Sequence, residues 1–206
     1  MFHRRTLLAS ALASSLPWPA WAQSSTGSSG KNSLTLGMAL EPPMLDPTVS
    51  AAAAIGEIVH YNLFETLTKI TPEGTVLPLL AQRWEVAPDS KTFTFHLRQD
   101  AQFHNGQPLT ADSVQFSFAR AASSTSTNKD KALFAQLKVT AKDRFTVVIE
   151  SAHSNPDLLF LLGQATAIIV EPQSAATNAT APVGTGPYRV QQWQKGSRLT
   201  LLAWPQ

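Results

Sequence analysis

Leu80-Ala-Gln-Arg-Trp-Glu-Val-Ala-Pro-Asp-Ser-Lys-Thr-Phe-Thr-Phe-His-Leu-Arg98 is the stretch from which the rest of the chain is best read. Thr92 to Arg98 alternates strictly, with Phe93, Phe95 and Leu97 on one side and Thr92, Thr94, His96 and Arg98 on the other. That is the period of a strand with one buried face. Trp84 to Ala87 gives a preceding strand. Pro88-Asp89-Ser90-Lys91 places proline and aspartate where a tight turn uses them, so the pair reads as a hairpin. The chain continues Phe103-His-Asn-Gly-Gln-Pro-Leu-Thr-Ala-Asp-Ser-Val114. Asn105-Gly106 is a second turn signal. Thr110 is expected to cap a helix whose positive first turn suits Asp112, with Val114, Phe116, Phe118 and Ala119 as its apolar side.

Toward the N-terminus, Ser33 to Ala39 alternates and predicts a strand. Glu41-Pro-Pro-Met-Leu-Asp-Pro47 follows, and three prolines impose an extended loop. Ile55, Ile58, Val59, Leu63 and Leu67 fall at helical spacing and predict a helix over 52–67. Residues 75–80 read as an extended connection and 79–82 as one helical turn. Toward the C-terminus, 123–128 is a polar loop and 130–137 a helix. A hairpin is predicted from 138–141 and 145–150 around Lys142-Asp143-Arg144. Asn155-Pro156 opens a helix through Leu162, with proline at a tolerated first position. Residues 167–170 read as a buried strand. A last hairpin joins 188–193 to 199–204 through Gln194-Lys195-Gly196-Ser197. Hairpins outnumber βαβ units, so the class is mixed α/β, without an internal repeat. The last strand runs almost to Gln206, which raises the expectation of a sheet completed elsewhere.

The first residues read as an address. Arg4 and Arg5 form a positive start, Thr6 to Pro17 is a modest apolar run, and Ala20-Trp21-Ala22 places small residues before a cleavage point at Gln23. This is a secretory signal pattern, too short and broken to remain in a bilayer. Arg4-Arg5-Thr6-Leu7-Leu8 is also similar to a twin-arginine export signal. Residues 1–22 are therefore expected to be removed, and 23–32 to form a flexible polar leader. Of 16 basic residues the signal takes two, leaving fourteen against 14 acidic ones. A mature chain with no basic excess has little to offer a nucleic acid. The sequence contains no cysteine, which excludes disulfides, thiolate metal sites, cysteine nucleophiles and a lipid-modified cysteine at the cleavage point.

Residues 80–98 and 103–114, in the order strand, turn, strand, turn, capped helix, resemble the peptide/nickel class of periplasmic solute-binding proteins. Glu41 to Pro47, Tyr61-Asn-Leu-Phe-Glu-Thr-Leu67 and Pro182-Val-Gly-Thr-Gly-Pro-Tyr188 add to the resemblance. It covers most of 33–204. It implies a first lobe of the type II periplasmic-binding-protein kind, a mixed sheet with hairpins and flanking helices. Within it, 33–50 and 183–206 would belong to the main sheet part and 51–182 to an inserted subdomain. It further implies a second lobe, missing from this sequence, and a ligand enclosed between the two. The ligand, a peptide or related small solute, would pass to an inner-membrane permease of an ABC importer. The chain itself would be periplasmic, would not span the membrane, and would need no cofactor. The alternative is a truncated one-lobe remnant acting as an interaction module or without transport function.

The candidate ligand contacts are Met44, Thr48, Val49 and Ser50, in and after the proline-rich loop, where main-chain and hydroxyl groups could read an extended ligand. Asp46 is expected to organise that turn through neighbouring backbone. His60, His96 and His104 lack metal-ligand spacing. Gly184 and Gly186 have no phosphate-loop spacing and read as turn geometry and close backbone approach. Trp84 and Trp193 sit at strand positions and are expected in the core. No Gly-x-Ser-x-Gly elbow or other nucleophile motif occurs, so no catalytic residue is assigned and the chain is read as a binding protein.

Overall fold

The structure, a computed structural model, describes residues 32–50 and 52–205. The signal segment 1–22 and residues 23–31 of the leader lie outside the described residues. The chain divides into two units, Met1–Gly37 and Met38–Gln206. Only 32–37 of the first is described, and it holds no helix or strand.

The second unit contains α1 (Ala53–Val59), β1 (Thr68–Ile70), β2 (Val76–Pro78), β3 (Ala81–Val86), β4 (Thr92–Leu97), α2 (Ala111–Ala122), α3 (Lys131–Ala135), β5 (Leu137–Asp143), β6 (Thr146–Ser151), α4 (Leu158–Leu161), β7 (Tyr188–Gln194) and β8 (Arg198–Ala203). Two short 3-10 turns, Ala165–Ala167 and Ala175–Thr177, lie between α4 and β7. The strands form a four-stranded antiparallel sheet in the order β3-β4-β6-β5, and two hairpins, β1-β2 and β7-β8.

All three hairpins expected from alternation form. In the first, the Asp89 carboxylate accepts from the Lys91 N–H at 3.0 Å, and Ser90 takes a positive φ of 53°. Phe93, Phe95 and Leu97 are buried and the intervening residues are not. β4 then pairs with β6, Phe93 opposite Ile149 and Phe95 opposite Val147. These side chains form one core with Val114, Phe118 and Ala121 of α2, and the Phe118 and Phe134 rings lie 5.0 Å apart. Each such side chain contributes about 1.5–3 kcal/mol on burial. Ala119, expected on the apolar side, is exposed; the buried face of α2 instead includes Ser113 and Ser117. Thr110 occupies the cap position, but its side chain makes no cap hydrogen bond.

Five expected elements are corrected. The segment 33–39 forms no strand: Leu34 is 82% exposed, and a strand needs a ladder partner that period alone cannot supply. The helix expected to reach Leu67 stops at Val59, because His60 leaves the helical region and Tyr61 takes φ +60°. Leu63, Phe64 and Leu67 are still fully buried, carried inward by a turn rather than a helix. Residues 79–82 pass straight into β3 with no helical turn. Ile168, Ile169 and Val170 are buried as expected but lie outside any strand. The Ile169 N–H goes to the Glu65 carbonyl and that of Val170 to the Ser117 hydroxyl, each at 2.9 Å. The helix from Asn155 is also shorter than expected, starting only at Leu158.

A second core gathers Leu45, Ile55, Val59, Leu63, Phe64, Ile168 and Val170, with Trp193, Leu199 and Leu201 of the last hairpin packed on it. Trp84 and Trp193, expected in the core, are both partly buried, Trp84 against the first cluster and Trp193 against the second.

Candidate functional site

The proline-rich loop is held at three points. At its start, both Glu41 carboxylate oxygens accept from the Gly196 N–H in the β7-β8 turn, at 2.9 and 3.0 Å. In its middle, the Leu45 N–H donates to the Ala179 carbonyl at 2.9 Å. At its end lies a buried ion pair. Arg120, in the last turn of α2, donates to both oxygens of Asp46, at 2.8 and 3.3 Å, and to the Ala175 carbonyl at 3.1 Å. Arg120 also donates to the Thr48 hydroxyl. That hydroxyl donates to Asp46 Oδ1 at 2.6 Å, and the Thr48 N–H donates to the same oxygen at 3.0 Å. Asp46 thus organises its turn as expected and also holds a cation 74 positions away.

Thr48 is fully buried, with its N–H, hydroxyl and carbonyl all engaged; the carbonyl accepts from Ser126 at 2.9 Å. The Val49 carbonyl accepts from the Thr127 hydroxyl. Met44, Val49 and Ser50 remain partly exposed. Of the four sequence candidates, then, three border solvent and Thr48 lies beneath them. Arg120 was missed. Its signal was polar residues at 113, 117 and 120, on or beside the apolar face of an amphipathic helix.

A second constellation surrounds a hollow of about 270 Å³ lined by Tyr61, Glu65, Lys69, Leu79, Pro187 and Trp204. Tyr61 is kept in its left-handed conformation by its hydroxyl. That hydroxyl donates to the Gly163 carbonyl at 2.8 Å and accepts from the Ile70 N–H at 2.9 Å. Burial pushes the Glu65 carboxyl above its usual range, while a hydrogen bond with Thr185 and the charges of Arg98 and Lys69 work the other way. Lys69 stands 5.5 Å from the centre of the Tyr61 ring.

Gly184 and Gly186 bring the chain against the 62–64 backbone. A Cβ on Gly184 would lie 1.9 Å from the Leu63 carbonyl oxygen, and one on Gly186 2.4 Å from that of Asn62. Neither has a positive φ, so close approach, not turn geometry, explains both. Of the histidines, His96 lies 3.3 Å from Glu85 at the sheet surface, and His104 bonds to the 184–186 backbone. Among the described residues no group of three or more His, Cys, Asp or Glu could hold a metal ion.

His60 stacks on Tyr61, ring centres 3.7 Å apart. Burial pushes its imidazole down from 6.5 to about 4, with the Gly163 carbonyl acting in the opposite sense. The unfolded chain therefore takes up this proton first. The stability that depends on neutral His60 is complete above pH 6.5 and is lost as pH falls toward 4. The shift corresponds to about 3 kcal/mol. Urea titrations of the wild type and His60→Phe should diverge by about that amount across this window. Parallel pH dependence of the two proteins would contradict the assignment.

The fold agrees with known proteins. The profile of the bacterial extracellular solute-binding proteins, family 5 Middle, matches residues 75–206. The chain belongs to this family. The probable D,D-dipeptide-binding periplasmic protein DdpA of Escherichia coli is 30% identical over 216 residues, covering 98% of this chain and 40% of the relative. The periplasmic oligopeptide-binding protein OppA of Haemophilus influenzae is 36% identical over 117 residues, 55% of this chain and 21% of the relative. The solved structure of the binding protein AgaA from A. tumefaciens R10, in complex with agropinic acid, superposes with a TM-score of 0.73 at 28% identity. It covers 79% of this chain and 34% of that one. The architecture is thus part of a type II periplasmic-binding-protein fold, and the chain spans 40% of the length of DdpA. Among the described residues, no helix is long and apolar enough to cross a membrane.

Proposed function

We propose that this chain contributes a receptor surface for an ABC importer. On this reading it binds a peptide or related small solute noncovalently, outside the cytoplasm, and serves an inner-membrane permease. The observation that carries this reading is the family match over residues 75–206. Relatives named as periplasmic, together with the secretory pattern of residues 1–22, support a periplasmic location. Met44, Val49 and Ser50 are the proposed contact surface, and Thr48 is the anchor beneath it. The Asp46–Arg120 pair fixes the loop before ligand arrives, which lowers the ordering cost of binding. The hydrogen bonds that join Glu41 to Gly196 and the Pro43 carbonyl to Lys195 support grouping 33–50 with 183–206, with 51–182 as the inserted part.

A tight small-ligand site covers most of its ligand, whereas one lobe covers only one side. Calorimetry on residues 23–206 with mixed short peptides is expected to give saturable binding weaker than about 0.1 mM. Val49→Arg should abolish it. Low-micromolar affinity would contradict the one-sided surface. Absence of any saturable binding would contradict the receptor reading.

A further inference from the structure

His104 is tied three times to the Gly184–Gly186 segment. Its backbone N–H donates to the Gly184 carbonyl at 2.8 Å. Its ring makes two further bonds, Nδ1 with the Gly184 N–H at 3.2 Å and Nε2 with the Gly186 carbonyl at 2.9 Å. The Gly184 N–H can only donate, so Nδ1 must accept, and Nε2 carries the ring's single proton toward Gly186. The Nδ1 role is one that only the neutral ring can play, whereas the Nε2 bond to Gly186 survives protonation and opposes the downward pull of burial. A second proton, placed on Nδ1, would point at an N–H and break that bond. We propose that His104 is a proton-released latch: its neutral ring clamps 184–186 onto the 62–64 backbone, and protonation lets that segment lift away.

The latch bears on the hollow. Gly186 donates to the Leu63 carbonyl at 3.0 Å, and Pro187, the next residue, forms part of the wall. Trp204, also in the wall, donates its N–H to the Pro187 carbonyl at 2.7 Å and meets the His104 ring edge-on at 5.8 Å. Releasing 184–186 therefore loosens both wall residues and frees Thr185 from Glu65. The charged groups around the latch come from three elements. Arg189 of β7 lies over the Trp204 ring at 5.1 Å and opposes a proton on His104. Glu65 reaches the segment through Thr185, and Glu171 bonds to Asn105 beside the histidine. Burial also holds the imidazole below its usual range, so the latch stays closed at neutral pH and opens only in acid. The inference rests on the fold and not on the receptor reading.

The test is amide hydrogen exchange of Gly184 and Gly186 in the wild-type chain, corrected to protection factors, with the His104 ring state followed by imidazole nitrogen shifts. Protection of the Gly184 amide should fall about tenfold or more between about pH 7 and about pH 4.5, in step with ring protonation. In His104→Gln the side-chain oxygen and amide can make both bonds at every pH, so protection there should stay level. A ring that remains neutral throughout, or that gains its proton while Gly184 stays protected, would overturn the latch. So would an equal fall in wild type and His104→Gln, since another group would then be responsible. If His104→Gln does not fold, the Phe95 amide of the four-stranded sheet serves as the reference in the wild type, and an equal fall in its protection would overturn the latch.

Discussion

Gly184→Ala is expected to cost more than about 4 kcal/mol, most of the stability of a domain at the low end of the ordinary range. The new methyl carbon would lie 1.9 Å from the Leu63 carbonyl oxygen and 2.7 Å from Phe64 Cδ1. The first of these is backbone, which cannot rotate aside as a side-chain end can. Relief would require 184–186 to move off the 62–64 turn, losing the Gly186 N–H to Leu63 bond and the His104 contacts with it. Gly56→Ala is the matched control. Gly56 lies inside α1, and a Cβ there meets only Ala165 Cβ, at an ordinary 3.4 Å. Alanine at a helix interior is favoured over glycine by roughly 0.5–1 kcal/mol, so this variant should be neutral or slightly stabilised. The readout is the urea midpoint, with soluble yield as the fallback when no folded Gly184→Ala is recovered. A Gly184→Ala protein within about 1 kcal/mol of wild type would mean that the two segments do not meet as described.

The second large effect is expected at Asp46. Its carboxylate is 1% exposed and is the acceptor for Arg120 and for both the hydroxyl and N–H of Thr48. Asp46→Ala leaves a largely buried guanidinium without its counter-charge, a loss of about 3–5 kcal/mol. Thr48→Val removes only the bridging hydroxyl and should cost about 1–2 kcal/mol. Replacing Asp46 and Arg120 together by apolar residues should recover part of the single-variant loss, because no buried charge is then left unpaired. Chemical denaturation of Asp46→Ala, of the single apolar substitution at Arg120 and of the double variant gives the coupling directly. Additive losses would show that the pair does not act as a clamp.

Legibility from sequence followed the range of the interaction. The β3-β4, β5-β6 and β7-β8 hairpins were readable because each rests on period-two alternation and on turn residues between its own strands, such as Asp89 with Lys91. The pairing of β4 with β6 was not, since dozens of residues separate Phe95 from Val147 and many strands would accept the same alternation. The helix over 52–67 failed for a related reason. Leu63, Phe64 and Leu67 satisfy helical spacing, yet all that packing requires is that they be buried, and a turn through left-handed Tyr61 buries them as well. Residues 167–170 showed the opposite separation: burial was legible, but their amides bond to Glu65 and Ser117 rather than to a ladder.

The candidate site divides in the same way. Asp46 as the organiser of its own turn is a local interaction and was visible two residues away, at Thr48. Arg120 as its counter-ion, and Thr48 as an interior residue, depend on how α2 docks. The order of strand, turn, strand, turn and helix over 80–114 identified the family, because a long ordered pattern is carried by the sequence alone. By itself the sequence therefore determined the class of fold, its hairpins and the kinship of the chain, all set by patterns of near neighbours. The tertiary structure alone decided the partner of each buried charge, which glycines touch foreign backbone, and how His104 comes to bridge Gly184 and Gly186. Those are contacts between distant segments, fixed by packing geometry that no local pattern encodes.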